Sequence, residues 1–427
     1  MLAFLFITFF TLILLDTPMF LCLMIPSTIY LLLQDHYPLT FIVQRMVDAA
    51  DSFPMMAIPF FILAANIMNG AGITFRLFRF AKAITGHIPG GIAHVNVVAS
   101  IFFAGITGAA VAEAGGLGKI ELEAMKKEGY DVEFSAGLAA AAATIGPIIP
   151  PSIPLVIYGM VAEVSVGALF IGGIIPGLLM GLSLMVMIYF FAKRRNYPKE
   201  KREPFLQMIR AFIIAFPALM TPVIIIGGIL SGVFSPTEAA VVAVVYSAIL
   251  GAATTREFSF KQYFSLLIDS VENTAILMLI ISAAVLFGTL LAHENINMYL
   301  VMLLDPFTGS KWVFLLFLNI LFLFIGCIIE PIISLLVFLP MLLPIAAKVG
   351  VDPIHLGLVA VLNLMIGLLT PPVGMLLYVM TNIAGIPFER VARGTAPFII
   401  PLVIVLFLIT YIPSLVTFLP NLFLGTK

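Results

Sequence analysis

The stretch Thr144-Ile145-Gly146-Pro147-Ile148-Ile149-Pro150-Pro151-Ser152-Ile153-Pro154-Leu155 decides the fold. It lies inside an apolar run from Phe134 to about Met160, where an unbroken transmembrane helix would otherwise be expected. Pro147, Pro150, Pro151 and Pro154 have no backbone N–H to donate, and their rings clash with the preceding turn. One proline kinks a membrane helix; four so close together unwind it. Hydrocarbon tolerates the freed N–H and C=O groups only where protein buries them or a watery cavity solvates them. An unwound segment at membrane depth therefore points to a binding site made of helix ends and bare carbonyls. A kink without a ligand is the plain alternative.

The stretch has a partner 221 residues later, at Ile366-Gly367-Leu368-Leu369-Thr370-Pro371-Pro372-Val373-Gly374-Met375-Leu376. Ile145 aligns with Ile366, Gly146 with Gly367, Pro150 and Pro151 with Pro371 and Pro372, and Leu155 with Leu376. The same offset aligns Gly105 with Gly326, Asp48 with Asp269, and Asp51 with Glu272. Three islands on one offset mark an internal duplication and favour the site reading over the kink.

Composition places the chain in a membrane. Of 427 residues 62% are hydrophobic and 10% charged, with mean hydropathy +1.18, outside the range of a soluble globular chain of this size. A net charge of −1 gives no sign of nucleic-acid binding. Cys22 and Cys327 sit in apolar surroundings and form neither a disulfide framework nor a metal site. His87, His94, His293 and His355 are dispersed without ligand spacing. The amino terminus lacks the basic region and cleavage site of a signal peptide, so its apolar run is expected to stay as an anchor.

Residues 1–33 form two helices or one kinked at Asp16-Thr17-Pro18. Interfacial amphipathic helices are expected at 38–52 and 73–88, with a span from Phe53 to about Gly72 between them. Residues 89–118 and 312–343 are apolar runs with glycine-bearing middles, readable as a crossing or as a re-entrant hairpin. A polar loop covers 119–133, and broken helices cover 134–160 and 355–382. Spans are expected at 167–192, 211–232, 236–254, 274–292 and 396–418, an interfacial helix at 258–273, and a basic loop at 193–210. The fold class is thus an all-α polytopic membrane protein forming one integral domain over 1–427. It is built from repeats at about 1–192 and 211–420.

Counting spans between the hairpin candidates gives an odd number, which inverts the second repeat relative to the first. With the basic loop in the cytoplasm and both hairpins re-entrant, all but four of the 21 Lys and Arg residues (Arg45, Lys311, Lys348 and Lys427) fall on the cytoplasmic side. The first hairpin then opens to the cytoplasm and the second to the opposite face.

Several motifs now resemble a known family. Gln44-Arg45-Met46, Pro59-Phe60-Phe61-Ile62-Leu63-Ala64, Gly90-Gly91-Ile92-Ala93-His94-Val95-Asn96, Phe103-Ala104-Gly105-Ile106-Thr107-Gly108, the proline stretch itself and Ser235-Pro236-Thr237-Glu238-Ala239-Ala240 are similar to the large, DctM-type membrane subunit of tripartite ATP-independent periplasmic (TRAP) transporters. The resemblance covers nearly the whole chain. It implies a sodium-driven elevator importer of organic acids in the bacterial inner membrane, with a scaffold and a moving transport domain. It also implies two partners: a small four-helix membrane subunit of DctQ type and a soluble periplasmic binding protein of DctP type. No cofactor beyond the coupling sodium ions is implied. Where many relatives carry aspartate in the second hairpin, this chain carries Glu330.

The residues themselves agree with ion chemistry. Sodium prefers oxygen ligands, and helix C-termini bare carbonyls of partial negative charge. A first sodium site is expected from Gly105, Thr107 and Ala109 facing Gly146, Pro147 and Ile149, and a second from Gly326 and Ile329 facing Gly367, Thr370 and Val373. The glycines admit backbone geometries closed to other residues. A carboxylate substrate is expected between the hairpin tips, near helix N-termini, Ser152 and Glu330. Glu330 and Glu113 are functional candidates because carboxylates are costly at membrane depth. Glu238 reads as a helix-start acid, and Asp48, Asp51, Asp269 and Glu272 as solvated faces. A stand-alone anion transporter of the same architecture is the second reading. The scattered histidines argue against an enzyme.

Overall fold

The computed structural model describes residues 1–34, 37–38, 40–254, 260–294, 296, 299 and 309–425. The described residues are helical and joined by short connections. The amino terminus forms two helices, α1 (Leu2–Leu14) and α2 (Met19–Leu32), because Asp16 takes a φ of +55° ahead of Pro18. Helix α3 (Thr40–Ala50) ends before Ser52-Phe53-Pro54, and a short 3-10 turn leads into α4 (Ala57–Gly70) and α5 (Ile73–Thr85).

The first hairpin consists of α6 (Gly91–Thr107) and α7 (Ala110–Lys127), with its tip at Gly108-Ala109. The arm α7 runs through most of the region expected as a polar loop. From Lys119 on, neither glycine nor proline intervenes before Gly129, whose φ of +82° follows its end. The broken helix comes next as α8 (Val132–Ala143), an unwound segment, and α9 (Ile153–Val161). Then follow α10 (Val166–Arg195), α11 (Phe205–Leu230), α12 (Pro236–Thr254) and α13 (Phe260–His293). The basic connection is only 196–204, shorter than the 193–210 expected.

Helix α13 corrects the sequence reading. An interfacial helix at 258–273 and a separate span at 274–292 were expected, but from Phe260 onward they are one helix; residues 258–259 lie outside the described ones. The cause is visible at the duplicated position. Pro54 stops the chain between α3 and α4, whereas Ala275 stands 221 residues on, and α13 has no proline and no glycine before Gly288.

The second hairpin is α14 (Lys311–Gly326) and α15 (Pro331–Lys348), and the second broken helix is α16 (Pro353–Gly367) and α17 (Met375–Ala384). The last expected span, 396–418, is instead α18 (Phe388–Tyr411) followed after Pro413 by α19 (Ser414–Leu424). The duplication extends to element boundaries: α7 and α15 begin at Ala110 and Pro331 and end at Lys127 and Lys348, both 221 apart. Both Pro150–Pro151 and Pro371–Pro372 peptides are cis.

Among the described residues seven helices are long and apolar enough to cross a membrane. The broken helices lie at the centre, with Phe134–Ile148 and Ile354–Gly367 buried throughout. Small residues let them pack closely, as bilayers require where lipid tails remove the hydrophobic driving force. Gly137 of α8 meets the Gly394 backbone of α18, and Gly394 in turn meets Glu133. On the other repeat a buried amide ladder ties three helices. Asn363 donates to the Asn319 carbonyl (2.8 Å), and Asn319 donates to the Thr410 hydroxyl (3.1 Å).

Candidate functional site

Both hairpin tips and both breaks meet around one cavity of ≈ 320 Å³. Hairpin 1 contributes Thr107 and Ala109 to Ala112, and its break contributes Pro147 and Ile153. Hairpin 2 contributes Glu330 to Ile332, and its break Leu368 and Met375. The fourth wall is Ile62 and Asn66 of α4 with Asn273 and Leu277 of α13. The size falls at the small end of the ~300–1,000 Å³ usual for small-molecule sites.

Four helices begin at this cavity: α7 at Ala110, α9 at Ile153, α15 at Pro331 and α17 at Met375. First-turn amides have no acceptor within their own helix, and each helix start carries about +0.5 of an elementary charge. Four starts at one apolar cavity make it attractive to an anion without any cationic side chain, α9 through its dipole alone because its first-turn amides are bonded to Gly108 O and Ser152 or missing at Pro154. Its polar side chains are Asn66, Thr107, Asn273 and Glu330. Asn66 and Asn273 were invisible to sequence reasoning, since no motif marks an isolated amide on a span. They also wall a neighbouring crevice holding Asp269 and Glu272.

Hydrogen bonds fasten each tip to its break. The Gly108 carbonyl accepts from Ile153 N (3.2 Å), and the Cys327 carbonyl accepts from Val373 N and Gly374 N (3.2 Å each). The left-handed residues here are Gly108 (φ +61°) and Gly374 (φ +53°), not Gly105 and Gly367. Gly326 and Gly367, the last residues of α14 and α16, abut. A Cβ on Gly367 would sit 2.5 Å from the Gly326 carbonyl carbon. Two helix C-termini thus bring their negative dipole ends together, an arrangement that favours a cation.

The expected site residues divide. Thr107, Ala109 and Pro147 share the cavity wall. The bare side of Gly105 instead meets Pro222 of α11, 2.9 Å from where a Cβ would stand, so this glycine serves a helix approach. Ile149 packs its side chain on Gly177 of α10 rather than on the tip. Gly146 faces the Glu113 carboxylate. In the second group Ile329 is buried, and Thr370, in the break just past α16, donates its hydroxyl back to Ile366 O (3.0 Å), leaving the oxygen lone pairs free to accept. Ser152 does not line the cavity: its hydroxyl is bonded to Pro147 O and caps α9 by accepting from Leu155 N (3.2 Å). Glu330 holds the N-cap position of α15 and lines the cavity, with no side-chain cap hydrogen bond.

The family model for the DctM component of the tripartite ATP-independent periplasmic transporter matches residues 6–415. The chain belongs to the DctM family. It is 45% identical over 93% of both chains to the sialic acid TRAP transporter large permease protein SiaM of Vibrio cholerae. It is 40% identical over 88% of both to the C4-dicarboxylate TRAP transporter large permease protein DctM of Pseudomonas aeruginosa. The YdaH transporter of Alcanivorax borkumensis shares the fold at a TM-score of 0.66, with 13% identity, over 92% of this chain and 96% of that one. This DctM-family chain is therefore a TRAP large permease, a multi-pass protein of the bacterial inner membrane and not an enzyme.

Charges gather at the helix ends away from the cavity. Lys82 pairs with Glu200 (2.6 Å), Arg195 with Asp131 (2.5 Å) and Arg390 with Glu133 (2.5 Å). Burial pushes the Glu200 carboxyl up, but the Lys82 ammonium and the Glu128 carboxyl bonded to it outweigh that and hold it below the ordinary 4.5.

Proposed function

We propose that this chain is the membrane-crossing subunit of a sodium-driven importer of a small organic acid delivered by a separate periplasmic binding protein. The observation that carries the reading is the convergence of four helix starts on a cavity between the two hairpin tips. A carboxylate binds there through amide donors, while the apolar walls exclude water. Sodium suits the abutting C-termini of α14 and α16 in repeat 2, and the ends of α6 and α8 in repeat 1. Helix-end carbonyls supply the hard oxygen ligands in both places. Each ion would fix a tip against its break, which couples ion occupancy to the shape of the cavity.

Two repeats of opposite orientation around one midplane site suit alternating access by an elevator movement. The hairpins and broken helices form the moving part, and α4, α11, α12 and α13 belong to the scaffold. The lipid-facing side of α11, with Phe205, Leu206, Phe212, Ile213 and Phe216 exposed, offers an apolar surface for a small membrane subunit of DctQ type. A soluble DctP-type protein docks on the periplasmic face. Since a relative 45% identical is named for sialic acid, a hydroxylated sugar acid is the first substrate to assay. Asn66, Asn273 and Thr107 in the wall suit its hydroxyls. The test is binding-protein-dependent uptake in liposomes under an imposed sodium gradient. Full-rate uptake by this chain alone would instead favour the stand-alone transporter.

A further inference from the structure

A crevice of ≈ 460 Å³ opens at the end of the molecule that carries the basic connection, where the starts of α8 and α18 meet the end of α10. Asp131 and Glu133 line it from the start of α8, Arg195 from the end of α10, and Arg390 and Arg393 from the start of α18. Three cations against two acids leave it one positive charge. Both acids already have partners: Asp131 pairs with Arg195 and Glu133 with Arg390. Arg393 is exposed and makes no ion pair among the described residues. The two pairs do not use up their guanidiniums. Arg390 reaches Glu133 through Nε, and Arg195 reaches both Asp131 and the Tyr197 hydroxyl through Nη1. The remaining N–H groups of each fork can serve a second anion.

The crevice is held in shape. The Arg195 guanidinium lies 5.8 Å from the centre of the Phe134 ring and 5.4 Å from that of Phe191, which fixes its position. A Cβ on Gly394, also in the wall, would stand 2.1 Å from the Glu133 carbonyl oxygen, so α18 lies directly against α8. Beyond the crevice α18 becomes a membrane span with an open apolar face. Arg393, Pro397, Ile400, Ile404 and Leu408 follow one another at spacings of three and four and so share one side of the helix. Ile400 is 57% exposed, Ile404 55% and Leu408 40%. In a membrane protein such a stripe meets acyl chains. An unpaired cation at the head of it matches an amphiphile with an anionic head and hydrocarbon tails, whereas a soluble phosphate would use only the arginines.

We propose that this crevice binds the phosphate headgroup of an anionic phospholipid, with Arg393 as its principal cation and an acyl chain laid along Ile400 and Ile404. The spare N–H groups of Arg195 and Arg390 complete the contact, because the guanidinium fork matches phosphate oxygens. The leaflet is the one beside the basic connection, cytoplasmic by the positive-inside rule, and basic residues at that depth are drawn to anionic lipid. A bound lipid bridges α8, α10 and α18. The site lies away from the central cavity and does not rest on the sodium or substrate assignments.

The test places a fluorescent reporter on the stripe. Trp312→Phe removes the single tryptophan of the chain, and Ile400→Trp supplies another beside the crevice. The full-length chain is reconstituted in vesicles of phosphatidylcholine and phosphatidylglycerol, with one lipid or the other carrying brominated chains, and quenching gives their relative affinity at the reporter. Phosphatidylglycerol should be preferred about fivefold, the factor that one charge contributes near an anionic surface. Arg393→Gln should bring the preference towards unity, and Arg210→Gln, an exposed cation on α11, should leave it as it is. Should Ile400→Trp not insert, Ile404→Trp carries the same comparison. No preference in the parent, an unchanged preference in Arg393→Gln, or an equal loss in Arg210→Gln overturns the proposal. Displacement of phosphatidylglycerol by sodium phosphate, at an ionic strength where sodium chloride has no effect, would assign the crevice to free phosphate and overturn it as well.

Discussion

Gly367→Ala tests the ion coupling at its tightest contact. The added Cβ would meet Gly326 at 2.5 Å from C, 2.6 Å from Cα and 2.8 Å from O, all of them backbone atoms that cannot rotate away. Reaching ordinary contact means parting α14 from α16 by just under about 1 Å, and overpacking of this kind costs about 1–3 kcal/mol. The same displacement stretches the Val373 and Gly374 bonds to the Cys327 carbonyl, already 3.2 Å long. If the whole cost falls on the ion-bound state, half-saturating sodium rises by about 5–150-fold. Gly367 has no left-handed φ, so backbone strain adds nothing. The assay is uptake in liposomes with the binding protein and small subunit present, titrated with sodium chloride. Gly227→Ala on α11, where a Cβ meets nothing within 4 Å, is the control. A Gly367→Ala protein that inserts normally and keeps the parent's sodium curve would refute the helix-end reading of this site.

Three further outcomes follow from the packing. Asn319→Leu or Asn363→Leu alone should destabilise by about 1–2 kcal/mol in detergent unfolding, because each strands a buried amide, while the double substitution should cost less than the sum. Ser152→Ala removes the α9 cap and should lower stability by about 0.5–2 kcal/mol, with substrate affinity near that of the parent since the hydroxyl is outside the cavity. Lys82→Met should cost a few tenths of a kcal/mol near pH 7, as exposed pairs do. Because the folded Glu200 carboxyl is depressed, the stability it adds is present above its ordinary 4.5 and lost as pH falls through the lower folded value. The Lys82→Met difference in melting temperature should therefore fade below that pH.

Much of this architecture was legible in the sequence, since helix breaking is a local property. The prolines at 147–154 and 371–372 marked both breaks, and the glycine-bearing middles of the two apolar runs marked both tips to within a few residues. Facing is a tertiary property and was not legible. Gly105 looks equivalent to Gly326, yet one approaches Pro222 of the scaffold and the other approaches Gly367. Ser152 looked like a ligand and is a helix cap, because a serine before Ile153-Pro154 suits either role. Asn66 and Asn273 reach the cavity only because α4 and α13 cross beside it. The continuity of α13 could have been read from the absence of a counterpart to Pro54, but the charges at Asp269 and Glu272 suggested an interfacial segment instead.

The central claim is most directly tested by reconstituting this chain with a small membrane subunit and a periplasmic binding protein. Labelled sialic acid uptake is then measured with sodium outside and choline inside, without ATP. The account predicts accumulation that needs both the binding protein and the sodium gradient and collapses when sodium is equal on the two sides. Equal uptake with choline on both sides, or undiminished uptake without the binding protein, would contradict it.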